Sequence, residues 1–128
     1  MAVHIVRLGT PRQPGEGPRI GTVRRPPRGV PKARFATDDW YDVWFPDVAP
    51  SADAIARLKD SPGAEGWKRF TREYRAEMKE AHAGRALDLL ATLSRSSDFA
   101  VGCYCEDEAR CHRSILRELL RERGAHIA

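Results

Sequence analysis

All three cysteines of the chain, Cys103, Cys105 and Cys111, fall within nine residues, and the last is followed at once by His112 and Arg113. Thiol, imidazole and guanidinium are the parts of a nucleophile with its base and an anion clamp. Three thiols and an imidazole are also a formal Cys3His ligand set for zinc. An odd number of cysteines, and no apolar h-region in the opening stretch MAVHIVRLGTPRQPG, argue against a disulfide framework. The thiols are therefore expected to be reduced or bound to metal.

Spacing narrows the geometry. The run DFAVGCYC reads as a buried strand, apolar and uncharged from Phe99 until Glu106, so Cys103 and Cys105 project to one side. A helix is expected over residues 107–123. At about 100° per residue, Ile115, Leu116, Leu119 and Leu120 fill one arc of it, with Cys111 at the edge, His112 near the centre and Arg113 just beyond the opposite edge. His112 should then point inward at the cysteine strand, and Arg113 should reach the mouth of a strand-end crevice from the flank.

Three readings stay open. In the nucleophilic one, a strand-end thiolate is lowered in pKa by the adjoining helix N-terminus and the imidazole. Cys103 is the nucleophile or the thiol that orients His112, His112 is the acid/base, and Arg113 with Arg25 and Arg28 clamps an anion. Against it, the acidic run Glu106-Asp107-Glu108 is a poor neighbour for phosphate. In the zinc reading, Cys103, Cys105, Cys111 and His112 share a metal, although adjacent helical residues diverge by about 100° and no CxxC knuckle is present. In the third, Cys103 and Cys111 are small buried hydrophobes and His112 is a satisfied core histidine. Convergence of four such groups on one strand end favours a site.

The elements that must position these groups are legible from pattern. VHIVRL (Val3 to Leu8) alternates as a strand and ends in a Gly/Pro-rich loop, and RIGTVR is a second strand. Prolines 26, 27 and 31 make RPPRGVPK a rigid cationic loop, roofing the pocket with Arg24, Arg25, Arg28 and Lys32. Trp40, Tyr41, Trp44 and Phe45 form an aromatic patch, core or the wall of a pocket, with core favoured because a small domain needs large apolar anchors. Ser51 caps a short helix, ADAIARLKD. Trp67, Phe70, Tyr74 and Met78 make the apolar stripe of a helix running to about His82. A helix from Ala86 to about Arg95 places Leu87, Leu89, Leu90 and Leu93 on a core face. The terminal AHIA is a candidate short strand. Alternating strands and helices imply an α/β fold, a single-domain layered structure with a mainly parallel sheet flanked by helices, whose ligands collect at the carboxyl ends of the strands.

Charge is uneven. Of a net +4, residues 1–35 carry +7, eight Arg/Lys against Glu16 alone. Such clustering suits a phosphate-bearing partner. Eighteen arginines against four lysines show that Arg-rich coding could equally supply it. No segment reaches the about 18 apolar residues of a membrane span, so a cytoplasmic protein without membrane contact is expected. The expected partner is an anionic small molecule or nucleotide, or non-specifically bound nucleic acid.

The C-terminal stretch, a buried strand ending in Cys103, a short acidic loop, then Cys111-His112-Arg113 opening an amphipathic helix, resembles the DUF488 family. GPRIGTVRRPPRGVPK, Trp40, the APS at 49–51 and GWKRFTREYRAEM are similar to its YeaO-like branch. The chain differs from the family pattern at Thr22 or Arg24, at Pro26, and at Cys105, where an acidic residue is common. The resemblance implies the fold and the site's location; no established activity comes with it. The function expected is a small hydrolase or transferase using the Cys/His/Arg pocket on a phosphorylated or nucleotide-like substrate. The alternatives are a non-enzymatic nucleotide or nucleic-acid module with structural cysteines, and a zinc-binding or redox-sensing cluster.

Overall fold

The computed structural model describes residues 1–128. Four strands, β1 (Val3–Arg7), β2 (Arg19–Gly21), β3 (Val43–Trp44) and β4 (Phe99–Cys103), form one sheet of order β1-β4-β2-β3 in which every pairing is parallel. The α/β expectation holds, and the sheet is wholly rather than mainly parallel. β4 is central, and all five of its residues are buried, as a parallel strand covered on both faces should be. Its register sets Arg7 of β1 opposite Cys103 and Gly21 of β2 opposite Gly102. The carboxyl ends of β1, β2 and β4 therefore meet where the cysteines begin.

Four helices, α1 (Ala52–Asp60), α2 (Ala64–Glu77), α3 (Ala81–Ser94) and α4 (His112–Glu122), all contribute to one core with Val3, Phe99 and Val101 of the sheet. The stripe Phe70, Tyr74, Met78 is buried as its spacing demands. Ser51 caps α1 by accepting from the Ala54 amide. No helix is long and apolar enough to cross a membrane.

Several expectations are corrected. The first long helix ends at Glu77 rather than about His82, and α3 starts at Ala81 rather than Ala86, carrying Gly84 inside it; a helical glycine costs only about 1 kcal/mol, which packing overrides. Leu89 and Leu93 are exposed, because the buried stripe of α3 runs Ala83, Leu87, Leu90, Ser94. β2 is three residues long, since the next residue, Thr22, diverts its hydroxyl to the Gly102 carbonyl and its own carbonyl to His112. AHIA contributes one bridge, Val3 to Ile127. Of the aromatic patch Tyr41 is fully buried, whereas Trp44 lies exposed on the edge strand β3.

The last correction bears on the site. The helix does not begin at Asp107: that side chain caps a single 3-10 turn, Glu108–Arg110, and the chain then extends at Cys111 (φ −117°, ψ 150°) before α4 starts. Cys111 is thus the N-cap of α4, outside its helical geometry.

Candidate functional site

The central strand delivers Cys103 to the end of the sheet, where its carbonyl accepts from the Leu8 amide at 2.8 Å. Because Cys111 is extended rather than helical, the divergence expected between it and His112 does not arise. The sulfurs of Cys103 and Cys111 and a ring nitrogen of His112 all lie within 4.8 Å of one another, and all three residues are buried. Cys105 is exposed, with its sulfur 3.8 Å from that of Cys103. No disulfide links them.

His112 is oriented by the backbone of β2's end: its Nε2 lies 2.7 Å from the Thr22 carbonyl. A carbonyl only accepts, so Nε2 carries the proton, and Nδ1 is the nitrogen left with a lone pair when the ring is neutral. The ring meets Tyr74 edge-on at 5.7 Å, and the Tyr74 hydroxyl is itself tied to the Val48 carbonyl. The imidazole is therefore held from two sides.

Arg113 does not lie on the flank as its helical angle suggested. It is 4 % exposed, its Nη2 donates to the Cys105 carbonyl, and its buried Nε has no partner. No carboxylate stands within ion-pair distance of it, although the acidic loop is near in sequence: Glu106 goes to Arg7 and Glu108 to Arg117, at 3.7 and 3.0 Å. A buried cation without a counter-ion is costly. Here it stands at the start of an 11-residue helix whose first amides also favour negative charge.

The three thiols are shifted unequally. Hydrogen bonds from Cys103 and Cys105 hold the Cys111 thiol well below its ordinary range against the opposing effect of burial, and His112 adds to the lowering. Cys103 is pushed up, first by its bond with Cys105, then by Cys111 and burial. Cys105 is lowered by its bond to Cys103, but Cys111 and burial outweigh this and leave it raised. Of the three thiols, Cys111 is the one at the helix N-cap, where a thiolate is favoured, whereas Cys103 sits at the strand end.

The basic loop divides. Arg24 is anchored on the carbonyls of Pro46, Ala49 and Pro50, so it braces the chain entering α1. Arg25, Arg28 and Lys32 are exposed, with no carboxylate in ion-pair range. The loop is moored beside the site, because the hydroxyl of Tyr104, the residue after Cys103, donates to the Arg25 carbonyl at 3.0 Å. Its other three cations are exposed, whereas Cys103, Cys111, His112 and Arg113 are buried.

For Tyr41 the sequence favoured core over the wall of a pocket. It is buried, but it packs in a second cluster with Leu8, Val23, Cys103 and Cys111, and its hydroxyl has no partner. The available signal was chemical: a tyrosine placed in a core needs somewhere for its O–H to go. The role of the Thr22 carbonyl had no signal, since every residue carries one.

No curated protein and no solved structure matches the chain. A protein-family model described as the active DUF488-N3 subclade (DUF488-N3a) matches residues 3–124, nearly the whole chain, and the protein therefore belongs to the DUF488 family.

Proposed function

We propose that the protein is a small thiol-dependent enzyme, a hydrolase or group transferase, acting on a phosphorylated or nucleotide-like molecule with Cys111 as its nucleophile. The Cys111 thiolate attacks the electrophilic centre, and a bond to sulfur forms as the bond to the leaving group breaks. The leaving group departs with the electron pair and takes from His112 Nδ1, the nitrogen not tied to Thr22, the proton that the Cys111 thiol gave up to that nitrogen on becoming the thiolate. Water or a second acceptor then takes the transferred group and frees the thiolate. Arg113 and the first amides of α4 hold the negative charge. Arg25, Arg28 and Lys32 meet more distant phosphates.

One observation carries this reading: Arg113 is buried without a counter-ion beside three thiols and a helix start. A subclade described as active agrees with it. The test is the pH dependence of alkylation of each cysteine in the folded protein. Cys111 should titrate below the ordinary thiol range and shift upward in His112→Ala; thiols that react only on unfolding remove the enzyme.

Zinc is the second reading, and distances favour it. A tetrahedral site with Zn–S bonds of about 2.3 Å sets its sulfurs about 3.8 Å apart. That is the Cys103–Cys105 separation of 3.8 Å. Cys103, Cys111 and His112 have ligand atoms within 4.8 Å of one another, the exposed Cys105 would have to turn in as the fourth ligand, and a histidine donating its other N–H to a carbonyl is the usual support of a ligand. Protein purified without chelator should then hold about one zinc per chain and lose much of its stability without it. Less than about a tenth of an equivalent excludes this reading.

A further inference from the structure

Two buried side-chain polar atoms in the whole chain lack a hydrogen-bond partner: Arg113 Nε and the Tyr41 hydroxyl. They come from different ends of the sequence, yet both lie around the same thiols. Arg113 stands two residues after Cys111 and bonds the Cys105 carbonyl, and Tyr41 packs in the cluster that contains Cys103 and Cys111. Buried polar groups in native proteins are almost always satisfied, so an orphan asks for an explanation, and two orphans on residues tied to one thiol cluster ask for a common one.

Tyr41 is not free to relieve its hydroxyl by turning out. The amide after it, on Asp42, donates to the Arg19 carbonyl at 2.8 Å, and the Asp42 carboxylate accepts from the Arg19 amide at 2.7 Å. The amide before it, on Trp40, bonds the Phe35 carbonyl at 2.9 Å. Its ring lies against Gly21, where any Cβ would collide with it, and against Phe35 at 5.1 Å. The glycine in β2 thus leaves room for this ring. Burial also keeps the phenol protonated, and so a donor.

We infer that the Tyr41 hydroxyl is a ligand-contacting group of the thiol site, and that with Arg113 it takes one small oxyanion, of the phosphate or sulfate class. Both orphans are donors and one is cationic, so the group that satisfies them must be an acceptor and negative. The α4 N-terminus, with its amides beside Cys111, favours the same charge. This rests on the reading that the cluster handles an anion, and it adds the second donor and the size of the group.

The probe is inorganic phosphate, with sulfate beside it, on the full chain. Phosphate should raise the melting temperature of the wild type and slow alkylation of Cys111 several-fold. Tyr41→Phe, which removes only the orphan atom, should melt no lower than wild type without phosphate, yet need at least ten-fold more phosphate for the same shift. A Tyr41→Phe protein that keeps the wild-type phosphate response overturns the inference while leaving Arg113 and the enzyme reading standing. The absence of any phosphate response in the wild type also overturns it, and points to a bound water between the donors; the Cys111 alkylation profile then still decides the enzyme. Should Tyr41→Phe fold poorly, 19F NMR of wild type carrying 3-fluorotyrosine replaces it. The chain has three tyrosines, so Tyr74→Phe and Tyr104→Phe assign the Tyr41 signal. That signal should move along the phosphate titration, and a stationary one sinks the idea.

Discussion

Arg19 and Arg113 are both almost wholly buried, and they are held in opposite ways. Arg19, at the start of β2, uses all five of its N–H donors: Glu16 takes two, and the carbonyls of Thr10, Pro11 and Asp39 take the rest. Its partner Glu16 is equally buried and also accepts from the Gln13 amide. Arg113, at the start of α4, uses one donor on one carbonyl and has no acid. A satisfied buried charge closes a structure; an unsatisfied one leaves a place for something else. The loops around Arg19 are therefore read as architecture, and the joint around Arg113 as a site.

Substitution should separate the two most strongly. Arg19→Met strands the buried Glu16 carboxylate and should cost roughly 3–5 kcal/mol in urea unfolding, the usual penalty for breaking a buried pair. Arg113→Met strands no acid and removes an orphan donor, so stability should hold or rise by about 1–3 kcal/mol while the response to phosphate disappears. Equal losses in the two variants would erase the distinction and make Arg113 structural.

The same contrast should appear along pH. Burial pushes Glu16 up, but the bonds from Arg19 and the Gln13 amide outweigh it, and the carboxyl ends below its ordinary value. A group whose folded pKa is depressed contributes fully above its unfolded value and loses that contribution as pH falls through the folded one, so the Glu16 share of stability should vanish only in acid, below about pH 4.5. Cys111 is depressed too, from an ordinary 9.0. Its share should be full above pH 9 and fall as pH drops from there, by at most about 1.4 kcal/mol per unit. Wild-type stability should thus climb from pH 7 to pH 9. Cys111→Ser should flatten that climb and leave the acid limb to Glu16; a climb that survives the substitution would place the charge elsewhere.

The comparison also marks what a sequence can disclose. β1, β4, the stripe of α2 and the burial of His112 follow from period and apolar content, because those quantities are local and summed over many residues. The strand-end position of the cysteines followed from the same pattern. The N-cap geometry of Cys111 did not, since one extended residue decides it and the 3-10 turn before it carries helical composition. The isolation of Arg113 could not be read either: it depends on Glu106 and Glu108 choosing Arg7 and Arg117, and pairing among many alternatives is a tertiary result. Tyr41 was visible as an aromatic but not as an orphan, because what a hydroxyl fails to meet is a property of the whole fold.

The smallest effect on stability belongs to the outer cations, and it tests whether the site extends beyond Arg113. Arg25, Arg28 and Lys32 are exposed and pair with no carboxylate, unlike Arg34 just after them, which faces Asp38 at 3.1 Å. Changing the three to Gln together should therefore move unfolding by less than about 0.5 kcal/mol, as surface substitutions do. Any loss is then a loss of binding. If these residues meet phosphates, a short single-stranded oligonucleotide or a nucleoside triphosphate should bind the triple variant more weakly at low salt. Its salt dependence should also be shallower, since each phosphate no longer neutralised removes nearly one unit of slope for duplex DNA and about 0.7 for a single strand. Inorganic phosphate, too small to reach both regions, should act on wild type and triple variant alike. A triple variant that binds nucleotide and oligonucleotide as wild type does would confine the site to the Cys111–Arg113 joint and leave the outer arginines as composition.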